Sequence, residues 1–332
     1  PRPTTRLGWA PHGRERTEST AKERVWQYSE TQLTTQPLIP PPNMNTRIRQ
    51  ASIELMARNH FEDINRLDNL LGKDESATLS NIVPPNPYVG NPNQLIPGEC
   101  VALIGINPKL DLDRKGFQEF EINIPRRCQA RYARTGDASS FEPWFEKLHR
   151  YYDKEYFVFE NGKKVDPYYG PYFTKIGNHI GRSWFDSPPP EKGTTQLNAR
   201  SVLERHVVKL DAVPYYSISD KMDADNLRDS MNTDPAMKAH KQLIDSIFQE
   251  CKPRHLQVNG KGTAGGMIKS VFGEEGTFEK IGRGVSSIEV GWGNIGNHEL
   301  PFFIHNFTNT SNGPQSAEAF EECVHNFETW LH

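Results

Sequence analysis

What the 332-residue chain lacks narrows the field first. No apolar run approaches the roughly 20 residues an α-helix needs to cross a bilayer, so no membrane span is expected. No basic segment followed by an apolar one opens the chain, so no secretory signal is read and a cytoplasmic setting is expected. The four cysteines, Cys100, Cys128, Cys251 and Cys323, are far apart and form no C-x-x-C pair. Zinc and iron–sulfur centres need closely spaced thiolates to close their coordination shells, so no metal site is read and reduced, buried thiols are expected. Charge of one sign is also missing: 39 Lys plus Arg oppose 42 Asp plus Glu, a formal net of −3. That excludes a histone-like or tail-driven nucleic-acid binder, although not a protein that gathers its arginines on one face. Internal repeats are absent.

What is present is a globular composition, 35% hydrophobic and 24% charged, in which 25 Gly and 25 Pro imply many loops. The length suits one large domain or two ordinary ones. Residues 1–43 are rich in Arg, Thr, Gln and Pro and end in Pro40-Pro41-Pro42. They read as a flexible, basic, Pro-rich extension before a single α/β domain over 44–332, with Met44 as a natural start. In the extension Arg2, Arg6, Arg14, Arg16, Lys22 and Arg24 oppose Glu15, Glu18, Glu23 and Glu30, giving either a DNA-touching arm or a solvated tail.

Over 45–71, Ile48, Leu55, Ile64, Leu67 and Leu71 recur at helical intervals and Gly72 ends the pattern. The prolines of 83–98 then demand a loop. Four short apolar runs read as strands: Cys100–Ile104, His206–Val213, Leu256–Val258 and Leu300–His305. Helical patterns lie around Trp144–Tyr152 and Tyr172–Ile180, within a helical elaboration of about 125–200. Asp234 as N-cap and Pro235 in the first turn start a helix with Met237, Ile244, Ile247 and Phe248 on one face, stopping before Pro253. A last helix uses Phe320, Val324, Phe327 and Leu331. The expected fold is therefore α/β, with a central four-stranded, mainly parallel sheet flanked by helices.

Ligands of open α/β sheets bind at the carboxyl ends of the strands. That rule selects Gly105–Asp113, Asp211–Ser217, Gly260–Gly266 and His305–Gly313. The third segment matches a dinucleotide fingerprint, Gly260-x-Gly262-x-x-Gly265, with Glu289 about 20 residues on where a ribose-binding acid sits in such folds. The glycines serve either a nucleotide-dependent enzyme or a turn that packs helix against strand.

The first segment, apolar strand then Gly105-Ile106-Asn107-Pro108, resembles the first motif of the uracil-DNA glycosylase superfamily, especially its mismatch-specific branch, whose members read Gly-Ile-Asn-Pro-Gly. The resemblance continues in order over roughly 95–332. Val208–Val213 looks like the second-strand motif, in which an Asn usually reads the base. Residues 255–266 occupy the place of the third strand and its glycine turn. Phe303-Ile304-His305-Asn306 looks like the last motif, commonly His-Pro-Ser. Lys109 replaces a glycine, Asn306-Phe307 replaces Pro-Ser, and the iron–sulfur cysteines of some branches are missing.

The resemblance implies a monomeric DNA glycosylase that needs no metal or redox cofactor. It would flip a base from DNA and hydrolyse its N-glycosidic bond, in repair or in defence against viral DNA. Such cleavage needs a polar group to place water beneath C1′ and donors to stabilise the departing base. Asn107 takes the first role, with Asp111 or Asp113 to assist with the proton, or Asn107 simply shapes a turn. His305 is expected to donate to the base carbonyl. Gly105, Ile106 and Asn306 would line the base, and Phe117, rather than Phe120, would stack on it. Asp211 stands where the family has Asn. A carboxylate accepts from an exocyclic amino group and, when protonated, donates to N3, which suits cytosine or a 5-modified cytosine better than uracil. Phe307 is a candidate wedge. Arg126, Arg127, Arg131 and Arg134, with Tyr132 among them and no acid between, are expected to contact the DNA backbone together with Lys109.

Overall fold

The short apolar runs become the parallel centre of a sheet because each is buried on both faces. In the computed structural model, which describes residues 45–71, 79–114, 116–153, 156, 195–217, 222–306, 311 and 313–332, β1 is Val101–Gly105, β2 Val207–Asp211 and β3 Leu256–Asn259. β4 is Glu279–Ile281, β5 Ile288–Ile295 and β6 His298–His305. The strand order is β2-β1-β3-β6-β5-β4. The contacts β2-β1-β3-β6 are parallel and the β6-β5-β4 contacts antiparallel. The described residues fall in a unit spanning Pro42–His332; the extension 1–43 and the helical pattern Tyr172–Ile180 lie outside the described residues.

The sheet is thus six-stranded and mixed, a correction to the expected four strands. The two added strands escaped notice because Gly291 and Gly293 interrupt β5. Both glycines are needed: a Cβ at Gly291 would collide with the Phe278 ring, and one at Gly293 with the Phe302 ring and the Phe272 carbonyl. The β5–β6 hairpin closes through Gly296 and Asn297, both at φ 61°, the left-handed pair of a two-residue turn that matches strand twist. At the outer edge β4 has only three residues, largely exposed, and includes Glu279 and Lys280. At the other edge, Val89 exchanges backbone hydrogen bonds with Lys209 of β2.

Side-chain alternation assigns the two faces. Ala102, Ile104, Val208, Leu210, Leu256, Val258, Phe302 and Ile304 join one core with the helices Thr46–Met56, Pro235–Cys251 and Thr263–Phe272. Val101, Leu103, Val207 and Phe303 join a second with the helices Thr195–His206 and Ala317–Leu331. Residues 45–71 form two helices, Thr46–Met56 and His60–Leu71, where one was expected. The break at Ala57–Asn59 lets Arg58 turn back on Asp63 with two hydrogen bonds of 2.7 Å. Asp63 also accepts from Arg66 and Tyr215, and Arg66 reaches Asp234. Asp234 caps Pro235–Cys251 as expected, accepting from the amides of Ala236 and Met237.

Candidate active site

The loops after β1 and β2 run side by side beyond the end of the strands. Gly105 is in register with Asp211, and the pairing continues as Ala212 and Val213 donate to the carbonyls of Gly105 and Ile106. Further on, Ser217 donates to the Pro108 carbonyl and Leu110 to the Ser217 carbonyl, beside a bridge from Lys109 to Ser217. Asn107, half-buried, is fixed between them: its Nδ2 donates to Ser217 Oγ at 2.7 Å and to the Pro108 carbonyl at 3.1 Å. A carbonyl only accepts, so the nitrogen must face Pro108, and Oδ1 is the atom left to accept from a ligand or water.

Asp211 is buried at 3% exposure, and its Oδ2 accepts from Lys209 Nζ at 2.5 Å. The two side chains share one face of β2, two residues apart. Burial pushes the Asp211 carboxyl up, against the opposing charge and hydrogen bond of Lys209. Gly105 is what makes room: a Cβ there would lie 2.8 Å from Asp211 Oδ1. Ile106 is buried in the main core, Asp111 is half-buried and Asp113 and Lys109 are exposed in the same loop.

His305 needs correction. It is 0% exposed, with Nδ1 2.7 Å from the Asn306 carbonyl and Nε2 2.9 Å from Gln257 Nε2. Burial lowers its pKa to about 4, so the ring is neutral at pH 7, and both nitrogens are occupied within the protein. It has no proton to offer a base. Asn306, half-buried, supplies that carbonyl. Phe117 is likewise a core residue rather than a stacking platform: it is fully buried, edge-on to Tyr216 at 5.5 Å, with the Arg114 guanidinium 5.3 Å from its ring centre. Phe120 is buried as well, and Phe307 lies outside the described residues.

The basic run is the exposed side of the helix Ile124–Thr135. Arg127, Arg131 and Arg134, at i, i+4 and i+7, share a face. Arg127 also pairs with Glu119 at 2.6 Å. Arg126 turns aside, donating to the Ile82 carbonyl and lying over Phe61. Tyr132 packs against Phe141 and belongs to the core side.

A cluster not anticipated from the sequence lies close by. Glu121 sits in the π-helical turn Gln118–Asn123, a local widening that often marks functional sites. Its carboxylate, 4% exposed, accepts from Lys147 at 2.6 Å and from the Tyr216 hydroxyl at 2.7 Å, with Arg114 at 3.4 Å. Burial pushes Glu121 up, but the Lys147 and Arg114 charges with these hydrogen bonds reverse it and hold the carboxyl below the usual range. Lys147, 1% exposed, is lowered by burial against the pull of Glu121. Tyr151, raised to about 12 by burial, feels Arg114, Glu121 and Asp211 together and so links this cluster to the strand ends.

In the third segment, the helix Thr263–Phe272 starts just after Gly262. A Cβ on Gly265 would come within 2.8 Å of Ile304 Cγ2, and the Gly265 amide bonds the Gly260 carbonyl at 2.8 Å, so Gly265 brings that helix close to β6. Among the described residues no group of three His, Cys, Asp or Glu is arranged to hold a metal ion, and no helix is long and apolar enough to cross a membrane. No protein-family model matches the chain, and no curated protein matches it either.

Proposed function

We propose that the protein is a monofunctional DNA glycosylase that hydrolyses the N-glycosidic bond of a flipped-out cytosine-type base. The observation that supports this reading is the zipped pair of loops at the ends of adjacent parallel strands, one carrying Asn107 and the other following Asp211. Asn107 Oδ1, left as an acceptor, positions water for attack at C1′. Asp211, pushed toward its protonated form, donates to cytosine N3 as negative charge develops on the departing base and accepts from the exocyclic amino group. The arginine face of Ile124–Thr135, next in the chain after the π-helical turn, holds the phosphate backbone. Repair of DNA and defence against DNA carrying modified cytosine both suit this chemistry.

The withdrawal of His305 favours a second reading, a nucleic-acid-binding module of similar fold without catalysis. The test is incubation with duplexes bearing uracil, cytosine or a 5-modified cytosine at one position, followed by alkali. The expected result is strand scission at the cytosine-type site, abolished in Asn107→Ala. Scission at uracil alone would overturn the base assignment, and none from any substrate would leave the binding module.

A further inference from the structure

Gln257, at the centre of β3, carries an orphaned acceptor, and hydrogen-bond logic alone fixes which atom it is. His305 Nδ1 faces the Asn306 carbonyl, and a carbonyl only accepts, so Nδ1 bears the ring proton. In the neutral ring Nε2 is then bare and accepts a hydrogen bond. Its neighbour at 2.9 Å is therefore the Gln257 amide nitrogen and not the oxygen. Oε1 points the other way, buried and without a hydrogen-bond partner, in a residue that is 0% exposed. An alternation of apolar residues would have served the sheet at this position, since Leu103 and Phe303 are its register neighbours. A buried polar group left unsatisfied is one that some other donor normally completes.

The place of this acceptor suggests its donor. Gln257 lies on the same sheet face as Gly105 and Asp211, opposite Leu103 and so two residues below Gly105 on the adjacent strand. Asp211 leans across Gly105 toward it, because Gly105 has no Cβ to hold the carboxyl back. The two acceptors therefore flank β1 on the same face of the sheet. An exocyclic amino group has two hydrogens and satisfies both; a keto oxygen satisfies neither and faces a buried carbonyl oxygen.

We infer that Gln257 is a specificity-determining residue, its Oε1 accepting the second amino hydrogen of a flipped cytosine-type base whose first is taken by Asp211. The inference rests on the glycosylase reading only for the presence of a flipped base. Binding is measured by fluorescence anisotropy with the full chain and duplexes carrying one mispaired 2′-fluoroarabino-cytidine or 2′-fluoroarabino-uridine, which resist cleavage. The wild type is expected to prefer cytosine about tenfold, the factor expected of one good hydrogen-bonded contact in base discrimination. Gln257→Met, of similar volume, is expected to cut that preference several-fold, Asp211 keeping the remainder. Should that variant fold poorly because His305 loses its donor, the pair Gln257→Met and His305→Phe removes the stranded ring nitrogen as well and is read in the same way. Equal wild-type affinities, a uracil preference, no binding to either duplex, or a cytosine preference undiminished in the folded variant would each overturn the inference. A Gln257-dependent cytosine preference without base release from the natural duplex would sink the glycosylase reading and leave this inference standing.

Discussion

Acid should unfold this protein early, and the buried histidines say how early. His240, His255 and His305 are each buried, with pKa values lowered by burial to about 4, 3 and 4. In the unfolded chain each returns to about 6.5. Between those values the unfolded state binds more protons than the folded one. The stability these neutral rings contribute is therefore whole above about pH 6.5 and is lost as pH falls toward their folded values. Each ring costs about 1.4 kcal/mol per pH unit, so on going from pH 6.5 to 4.5 the three together remove roughly 8 kcal/mol. That is comparable to the whole stability of a typical domain, about 5–15 kcal/mol. Asp211, raised by burial, works in the opposite sense and offsets part of the loss, since its protonated form is the one the fold favours. The assay is urea unfolding followed by circular dichroism at half-unit steps of pH. His255→Phe supplies the control: its ring already packs against Phe303 and Phe327, and the variant should lose the share of one ring, about 1.4 kcal/mol per pH unit. A stability that falls by less than about 1.4 kcal/mol per unit across pH 6–5, the share of one ring, would refute the reasoning.

Lys147→Met leaves the buried Glu121 carboxylate with Arg114 and Tyr216 alone and should destabilise by about 3–5 kcal/mol in chemical denaturation, whereas Glu121→Leu combined with Lys147→Met should recover most of it. Additive losses in the double variant would contradict the buried pair. Gly105→Ala brings a methyl within 2.8 Å of Asp211 Oδ1; crystallography should show the carboxyl displaced, and base release should fall at least tenfold. Arg131→Ala with Arg134→Ala should lower the slope of log K against log salt for duplex binding by about 1.8, and an unaltered slope would remove that face from the interface.

Periodicity and caps made the parallel centre of the fold legible. The four apolar runs are all strands, and the Asp234–Pro235 start was readable because capping is written locally. β5 was hidden because its glycines answer to rings elsewhere in the chain, Phe278 and Phe302. Of the candidate site, the positions of Asn107 and Asp211 at or just beyond strand ends were readable because each lies beside an apolar run. Glu121 and Lys147 were not: their partnership spans 26 residues, and a π-helical turn rather than ordinary helical spacing brings Glu121 inward. Gln257 stood in plain view as a polar residue in a doubly buried strand, which a search for loop residues passes over. His305 and Phe117 are both turned into the core, a packing direction that their place in the sequence does not reveal.

The two margins of the sheet bear on how the protein behaves when crowded. A strand with its amides and carbonyls exposed is a template on which another chain can grow. On the β2 side Val89 already occupies those groups at Lys209, so an incoming strand meets backbone that is spoken for. On the β4 side the template is three residues long and carries Glu279 and Lys280 side by side, too short and too charged to hold a neighbour in register. The sheet is thereby blunted along both flanks, and concentrated solutions should resist the edge-to-edge growth that open sheets invite.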